Sequence, residues 1–381
     1  MRILPVASGK GGVGKSLLAA NVAIALAEFG KRVVLADLDL GGSNLHLILG
    51  LGATREGIGT FLNDPNRAFS DIIVPTEYHG LRFIPGDAEI PGIANLTSGQ
   101  KRKLIRRLSK VDADYLVLDL GAGTSFNIMD FFLTSGSGIV VTTPTPTATV
   151  NAYLFLKNAV FRLITSGCKR KSPAGTFLDE LHKDAHSLQK VYLPALMEKI
   201  RSIDPDSHET IAGAMSRFRP RLVLNMLEEP KDSDKATRLR RSCKEYLDLE
   251  LEHLGIIYRD ELQSVALNSR LPIIVYKPQA VLSTAIYRIA DKILQLESEE
   301  EGPIDWEEVD DSYETAAAEA ETDFGAKLEF LEDLMKSGTL STADLVETVK
   351  SQQLELQTLR KENALLKSKI VKAIHAGFID R

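Results

Sequence analysis

The sequence predicts an α/β fold, an open and mainly parallel sheet flanked by helices, with a C-terminal helical tail that forms a coiled coil. Three observations carry this. Short β-branched runs alternate with longer helical patterns over the first 296 residues. Several of those runs (YLVLDL, GIVVTT, RLVLN) are apolar without alternation, as strands covered on both faces are. Near the end, apolar residues recur at heptad spacing.

The strands are expected at 3–7, 32–38, 81–85, 115–120, 138–143, 221–225, 255–258 and 272–275. Between the first two lies SLLAANVAIALAEFG, an apolar-rich helical stretch whose Gly30 suits a C-terminal cap. Strand, helix, strand repeated in this way gives a parallel sheet with helices on both sides. Residues 165–216 interrupt the rhythm with KRKSPAG and LQKVYLPALMEKI and read as an insertion of two helices.

Residues 297–323 hold thirteen acidic and no basic side chains, so the net charge of −6 divides into −13 there and +7 elsewhere. Few apolar residues and self-repelling charge predict an extended acidic linker. Trp306 stands out in it, with Tyr313 as its aromatic neighbour, as a candidate docking anchor. The tail, 324–381, puts Leu345, Val349, Gln352, Leu356, Leu359, Asn363, Leu366, Ile370 and Ala373 at alternating d and a positions. Asn363 at an a position favours a parallel pair in one register. The competing reading is one amphipathic helix packed on the body.

At 381 residues, 44% apolar and 26% charged, the composition is that of a soluble globular protein and excludes a fibrous or wholly disordered chain. Cys168 and Cys243 form no CxxC and no Cys/His cluster, which argues against a disulfide framework, a zinc finger or an intrachain iron–sulfur site. No apolar run reaches the length of a membrane span or a signal peptide core, so a cytoplasmic location is expected.

The strongest motif is Gly9-Lys10-Gly11-Gly12-Val13-Gly14-Lys15-Ser16, placed between a strand and a helix. Its glycines let successive N–H groups face one cavity, and the helix N-terminus adds its positive end. Lys15 is expected at the β- and γ-phosphates, and the Ser16 hydroxyl on Mg²⁺. The segment Asp37-Leu38-Asp39-Leu40-Gly41-Gly42-Ser43-Asn44-Leu45-His46 follows the second strand, and Leu118-Asp119-Leu120-Gly121-Ala122-Gly123 follows a later one. Each puts a carboxylate at the carboxyl end of a strand, where open sheets bind ligands. For Asp37 and Asp39, the plain alternative is a solvated turn.

With Lys10 inside the loop, the motif resembles the deviant P-loop family of MinD, ParA, the nitrogenase iron protein and the arsenical pump ATPase, whose pattern is KGGVGK[ST]. The resemblance spans residues 1–296. It implies an ATPase with ATP and Mg²⁺, in which Lys10 crosses a dimer interface to the partner's nucleotide. By the same resemblance Asp39 orients the attacking water, Asp37 and Asp119 support Mg²⁺, Asn44 lies near the nucleotide, and Asn225 reads the adenine edge. The segment YRDELQSVALNSRLPIIVYKP is similar to the part that covers the base.

The run TTPTPTATVNAY, residues 142–153, looks most like the FlhG (FleN, YlxH) branch, whose form is TTPEPTAxTDAY; Thr145 and Asn151 depart from it. This implies an ATP-sandwich homodimer that acts through an unidentified protein partner on the placement or number of a cellular structure such as the flagellum. A contrasting reading is a non-catalytic nucleotide-binding adaptor that works through its tail. Two further partners are weaker candidates. A membrane surface would use Leu366, Ile370, Val371, Ile374 and Phe378 with Lys367, Lys369 and Lys372, placing the chain at the inner membrane periphery. Nucleic acid would use Lys101, Arg102, Lys103, Arg106 and Arg107, or Lys169, Arg170 and Lys171, although such runs are usually solvated faces.

Overall fold

The computed structural model describes residues 1–52, 56–86, 95–169, 171–183, 192–296 and 306–336. Its sheet contains β1 (Arg2–Ser8), β2 (Val33–Leu38), β3 (Val74–Pro75), β4 (Leu81–Ile84), β5 (Tyr115–Ala122), β6 (Ile139–Thr142), β7 (Arg221–Leu227) and β8 (Glu252–Tyr258). The spatial order is β3-β4-β2-β5-β1-β6-β7-β8, and every neighbouring pair but β3–β4 is parallel.

The inner strands are apolar on both faces because each face has its own core. Val34, Ala36, Leu116, Leu118 and Leu120 contribute to one side, and Val33, Leu35, Tyr115 and Val117 to the other. The second side is closed by α1 (Lys15–Glu28), which is buried nearly all round; its last turn ends at Gly30, with φ +82°. After it come α2 (Leu45–Ile48) and α3 (Ile58–Asn63). Helix α4 (Ser98–Leu108) begins with a capping box between Thr97 and Gln100 and buries Leu104 and Leu108 on the first side. With α5 (Phe126–Phe132) and α6 (Pro146–Gly167) it covers that face.

The insertion holds three described helices rather than two: α7 (Pro173–Lys183), α8 (Leu193–Ile203) and α9 (Pro205–Met215). Pro205 ends one turn and starts the next, and Asp204 caps the new helix by accepting from Ser207 N at 3.1 Å. Then follow α10 (Asp234–Leu247), α11 (Leu262–Asn268), α12 (Ile273–Tyr276) and α13 (Val281–Gln295). The strand expected at 272–275 is therefore a helical turn. Pro272 opens it, and Asn21 Oδ1 on α1 accepts from Ile274 N at 3.3 Å, so the β-branched run packs against a helix instead of joining the sheet.

The expected extended linker is also corrected over its described part. Residues Trp306–Lys336 form α14, and its stretch up to Phe324 belongs to the same compact unit as the sheet. The body therefore ends at Phe324 rather than at residue 296, and a second unit begins at Gly325. Tyr313, Ala316, Ala320 and Phe324 recur at helical spacing and pack into the first core. Tyr313 Oη donates to Leu251 O and Tyr258 Oη to Ala320 O, both at 2.8 Å, while Ser312 Oγ accepts from His253 N at 3.2 Å. The acidic charge does not force the chain open because basic groups of the body meet it. Arg288 forks onto Asp323 at 3.0 and 2.6 Å, and Lys292 reaches Glu319 at 2.7 Å. The heptad seam and Asn363 lie outside the described residues. Among the described residues no helix is long and apolar enough to cross a membrane.

Replacing Arg288 by Met leaves Asp323 in a largely buried place without the guanidinium that holds it, while Glu319 keeps Lys292. This is expected to weaken docking of α14 by about 2 kcal/mol, between the surface and buried limits for broken ion pairs. Faster amide exchange over 313–323, with the sheet unchanged, is the measurement.

Candidate nucleotide site

The site lies at the carboxyl end of the central strands, beside β1, where the chain turns from the β2–β5 side to the β6–β8 side. The loop 9–14 leaves β1 and enters α1. Gly12 and Gly14 have φ of +77° and +86°, conformations that suit glycine, and Gly14 is the N-cap of α1. Gly9 lies so close to α6 that a Cβ would sit 2.0 Å from Asn151 O. Ser8 Oγ donates to Lys10 O at 2.9 Å and closes the start of the loop.

Gly11 and Gly12 face open space, whereas Val13 is buried in the second core. Among the described residues the backbone N–H groups of Lys10, Gly11, Gly12 and Gly14 meet no backbone or side-chain acceptor. Open donors at the start of a helix suit a phosphate anion, so the loop fits the phosphate group that its sequence implies.

The register of β2 on β5 sets Asp37 directly beside Asp119, and Val6 of β1 flanks Asp119 on the other side. Both carboxylates are buried. Asp37 accepts from Ser43 Oγ at 2.6 Å, Asp39 N at 3.1 Å and Leu45 N at 3.2 Å. It thereby fixes the turn between β2 and α2, although burial still pushes its carboxyl above the ordinary range.

Asp119 accepts from Lys15 Nζ at 2.5 Å. Burial, reinforced by the neighbouring Asp37 charge, outweighs the help from Lys15 and Ser16 and pushes its carboxyl up to about 6. Lys15 Nζ also reaches Ser16 Oγ at 3.2 Å and lies 4.0 Å from Asp39 Oδ2. Lys15, Ser16, Asp37, Asp39 and Asp119 thus come together as a set. Asp39 remains about a third exposed, and the bare Cα of Gly121 gives it room, since a Cβ would stand 3.2 Å from Asp39 Oδ1.

Lys10 is exposed, and its Nζ donates to Thr147 Oγ1 at 3.3 Å, in the first turn of α6. Asn44 is also exposed, at the N-cap of α2, and makes no side-chain cap bond. Asn225 is buried against the P-loop, and its Nδ2 donates to Val13 O at 2.8 Å. Sequence reasoning missed Ser43 and Thr147 as supports of Asp37 and Lys10. Both stand inside motifs that had been singled out, GGSN and TTPTPTAT, but only the fold shows which group each one meets.

Four likenesses accord with this geometry. The ParA family model, described as "NUBPL iron-transfer P-loop NTPase", matches residues 1–158. The antiactivator FleN of Pseudomonas aeruginosa is 24% identical over 305 residues, covering 77% of this chain and 86% of FleN. Together with the P-loop between β1 and α1, these make residues 1–158 similar to the ParA family of P-loop proteins.

The flagellum site-determining protein YlxH of Helicobacter pylori is 32% identical to this chain over 158 residues, 41% of this chain and 53% of YlxH. The match thus spans about half of that relative's length. The septum site-determining protein MinD of Pyrococcus horikoshii, solved with Mg-ADP, shares the fold with a TM-score of 0.52 at 19% identity, covering 78% of this chain and 98% of that one. Burial pushes the Cys243 thiol up to about 12, and Cys168 stands 75 positions away in the sequence.

The raised Asp119 carboxyl has a definite sign. The folded protein holds this proton more tightly than the unfolded chain, where it leaves near 3.8, so the associated stability is complete below that pH and is lost as pH rises through about 6. The stability gained by Asp119→Asn over the wild type, measured by urea unfolding of nucleotide-free protein, is expected to grow from pH 4 to pH 7, most steeply at about pH 5, between the unfolded and folded values, and to level off above about pH 6.

Proposed function

We propose that this chain is a Mg²⁺-dependent ATPase that pairs with a second copy across two ATP molecules and separates after hydrolysis. In this reading the paired form engages a protein partner and thereby sets the place or number of a cellular structure, with the flagellum favoured by the likeness to FleN and YlxH. The observation that carries the reading is the convergence of Lys15, Asp119 and Asp39 beside a loop of open N–H donors.

Ser16 and Asp119 would hold Mg²⁺, with Asp37 bracing the turn behind them. Among the described residues no three His, Cys, Asp or Glu side chains converge as a metal cage, which suits an ion that relies on phosphate oxygens and water for its other ligands. When bound, Mg²⁺ neutralises charge that builds on the phosphate oxygens. Lys15 exchanges its bond to Asp119 for the β- and γ-phosphates, so loading the site changes what holds Asp119. Asp39 accepts a hydrogen bond from the attacking water and aims its oxygen at the γ-phosphorus. The new P–O bond forms as the bond to the bridging oxygen breaks, releasing ADP and inorganic phosphate. Lys10, exposed at the loop and tied among the described residues to a threonine hydroxyl, would turn toward a second copy's phosphates.

Two experiments test this. Phosphate release is expected to fall about 100-fold or more in Lys15→Ala and Asp39→Ala proteins; a wild-type protein that binds ATP without turnover would instead favour the adaptor reading. Lys10→Ala is expected to bind ATP yet sediment with the same mass with and without it, whereas the wild type gains mass on adding ATP.

A further inference from the structure

Asn225 stands where two irregularities meet. It closes β7 at the point where the register with β8 shifts between Asn225 and Leu227, and the next residue, Met226, takes φ +60°, which a side-chain-bearing residue seldom adopts. The side chain turns away from β8 toward the loop after β1. Its Nδ2 donates to Val13 O at 2.8 Å, and its Oδ1 accepts from Met226 N at 2.9 Å. The amide also fills the room left by the absent side chain of Gly14, where a Cβ would stand 2.2 Å from Nδ2. Asn225 is only 6% exposed. Both ends of its amide are thus engaged by backbone, and the contact joins residues 212 positions apart.

We propose that Asn225 is a positioning residue for the phosphate loop: it clamps the Val13–Gly14 peptide, and thereby fixes the direction of the N–H groups that meet the phosphates, instead of selecting the base. This rests on the nucleotide reading of the loop given above. Gly14 is the N-cap of α1, and its carbonyl accepts from Leu18 N at 3.0 Å, so a loosened 13–14 peptide disturbs both the loop and the first turn of the helix. A base-reading residue and a loop clamp differ in one respect. The first senses which purine is present, and the second senses only the phosphates.

The test compares wild type with Asn225→Ala and Asn225→Asp. The Asp variant keeps the shape and loses the donor, so a merely space-filling role would leave it unchanged. The probes are ATP, GTP and inorganic tripolyphosphate, each with Mg²⁺, and binding is measured by calorimetry. Affinity for all three is expected to fall by the same factor, about five- to tenfold, the worth of one buried hydrogen bond, with the ATP-to-GTP ratio within about twofold of wild type. In nucleotide-free protein, exchange of the Leu18 amide is expected to quicken by a similar factor while β2 stays as it was. A loss confined to ATP, with tripolyphosphate unaffected, overturns the proposal in favour of base reading, and wild-type behaviour of both variants overturns it outright. If the wild type binds none of the three probes, the nucleotide reading fails, and the exchange of Leu18 still decides whether Asn225 clamps the loop.

Discussion

Two carboxylates side by side in the interior, with one ammonium between them and the solvent, are the constraint on which the rest of the site depends. The β2–β5 register leaves no freedom in this, because Asp37 and Asp119 are direct neighbours across the ladder. Two like charges in a dry place repel, and burial penalises each of them. The fold treats them differently. Asp37 is given hydroxyl and backbone donors and becomes part of the turn, whereas Asp119 is paired with the Lys15 ammonium. That difference ties one carboxylate into local backbone and the other to a side-chain cation. It also explains why Lys15 is placed across the phosphate loop rather than extended into water.

The parts of this arrangement legible in the sequence are those fixed by local rules. The glycine pattern of residues 9–14 requires a bent loop, and the two positive φ angles fall on glycines. Apolar runs such as YLVLDL suit inner strands, and this one brings Asp119 to its carboxyl end. The remainder depends on register between distant segments. Nothing in RLVLN says that its asparagine meets Val13, because that contact needs β7 to shift register against β8 and Met226 to turn left-handed. The run PIIVY was misread for a related reason. Four β-branched or aromatic residues suit a strand or one helical turn equally, and the choice fell to Asn21 on a helix far away in sequence.

The acidic stretch teaches a different lesson about charge. Summed, thirteen acids describe a chain that repels itself; the eight of them that lie on α14 leave one face made of Tyr313, Ala316 and Ala320. The mildly basic remainder of the molecule then becomes intelligible, since Arg288 and Lys292 receive Asp323 and Glu319, and the Arg240 guanidinium lies 4.8 Å over the ring of Tyr313. Composition alone cannot distinguish a solvated run from one whose counter-charges are supplied by another part of the fold.

The covering of β8 by α14 also bears on how copies of this protein can meet. A sheet grows from an unpaired rim, and here one rim is shut by a helix whose tyrosine and serine take up Leu251 O and His253 N. The other rim is a two-residue strand that contains Pro75, a residue with no amide hydrogen to offer. With both borders blunted, polymerisation by strand addition is discouraged at each side of the described sheet.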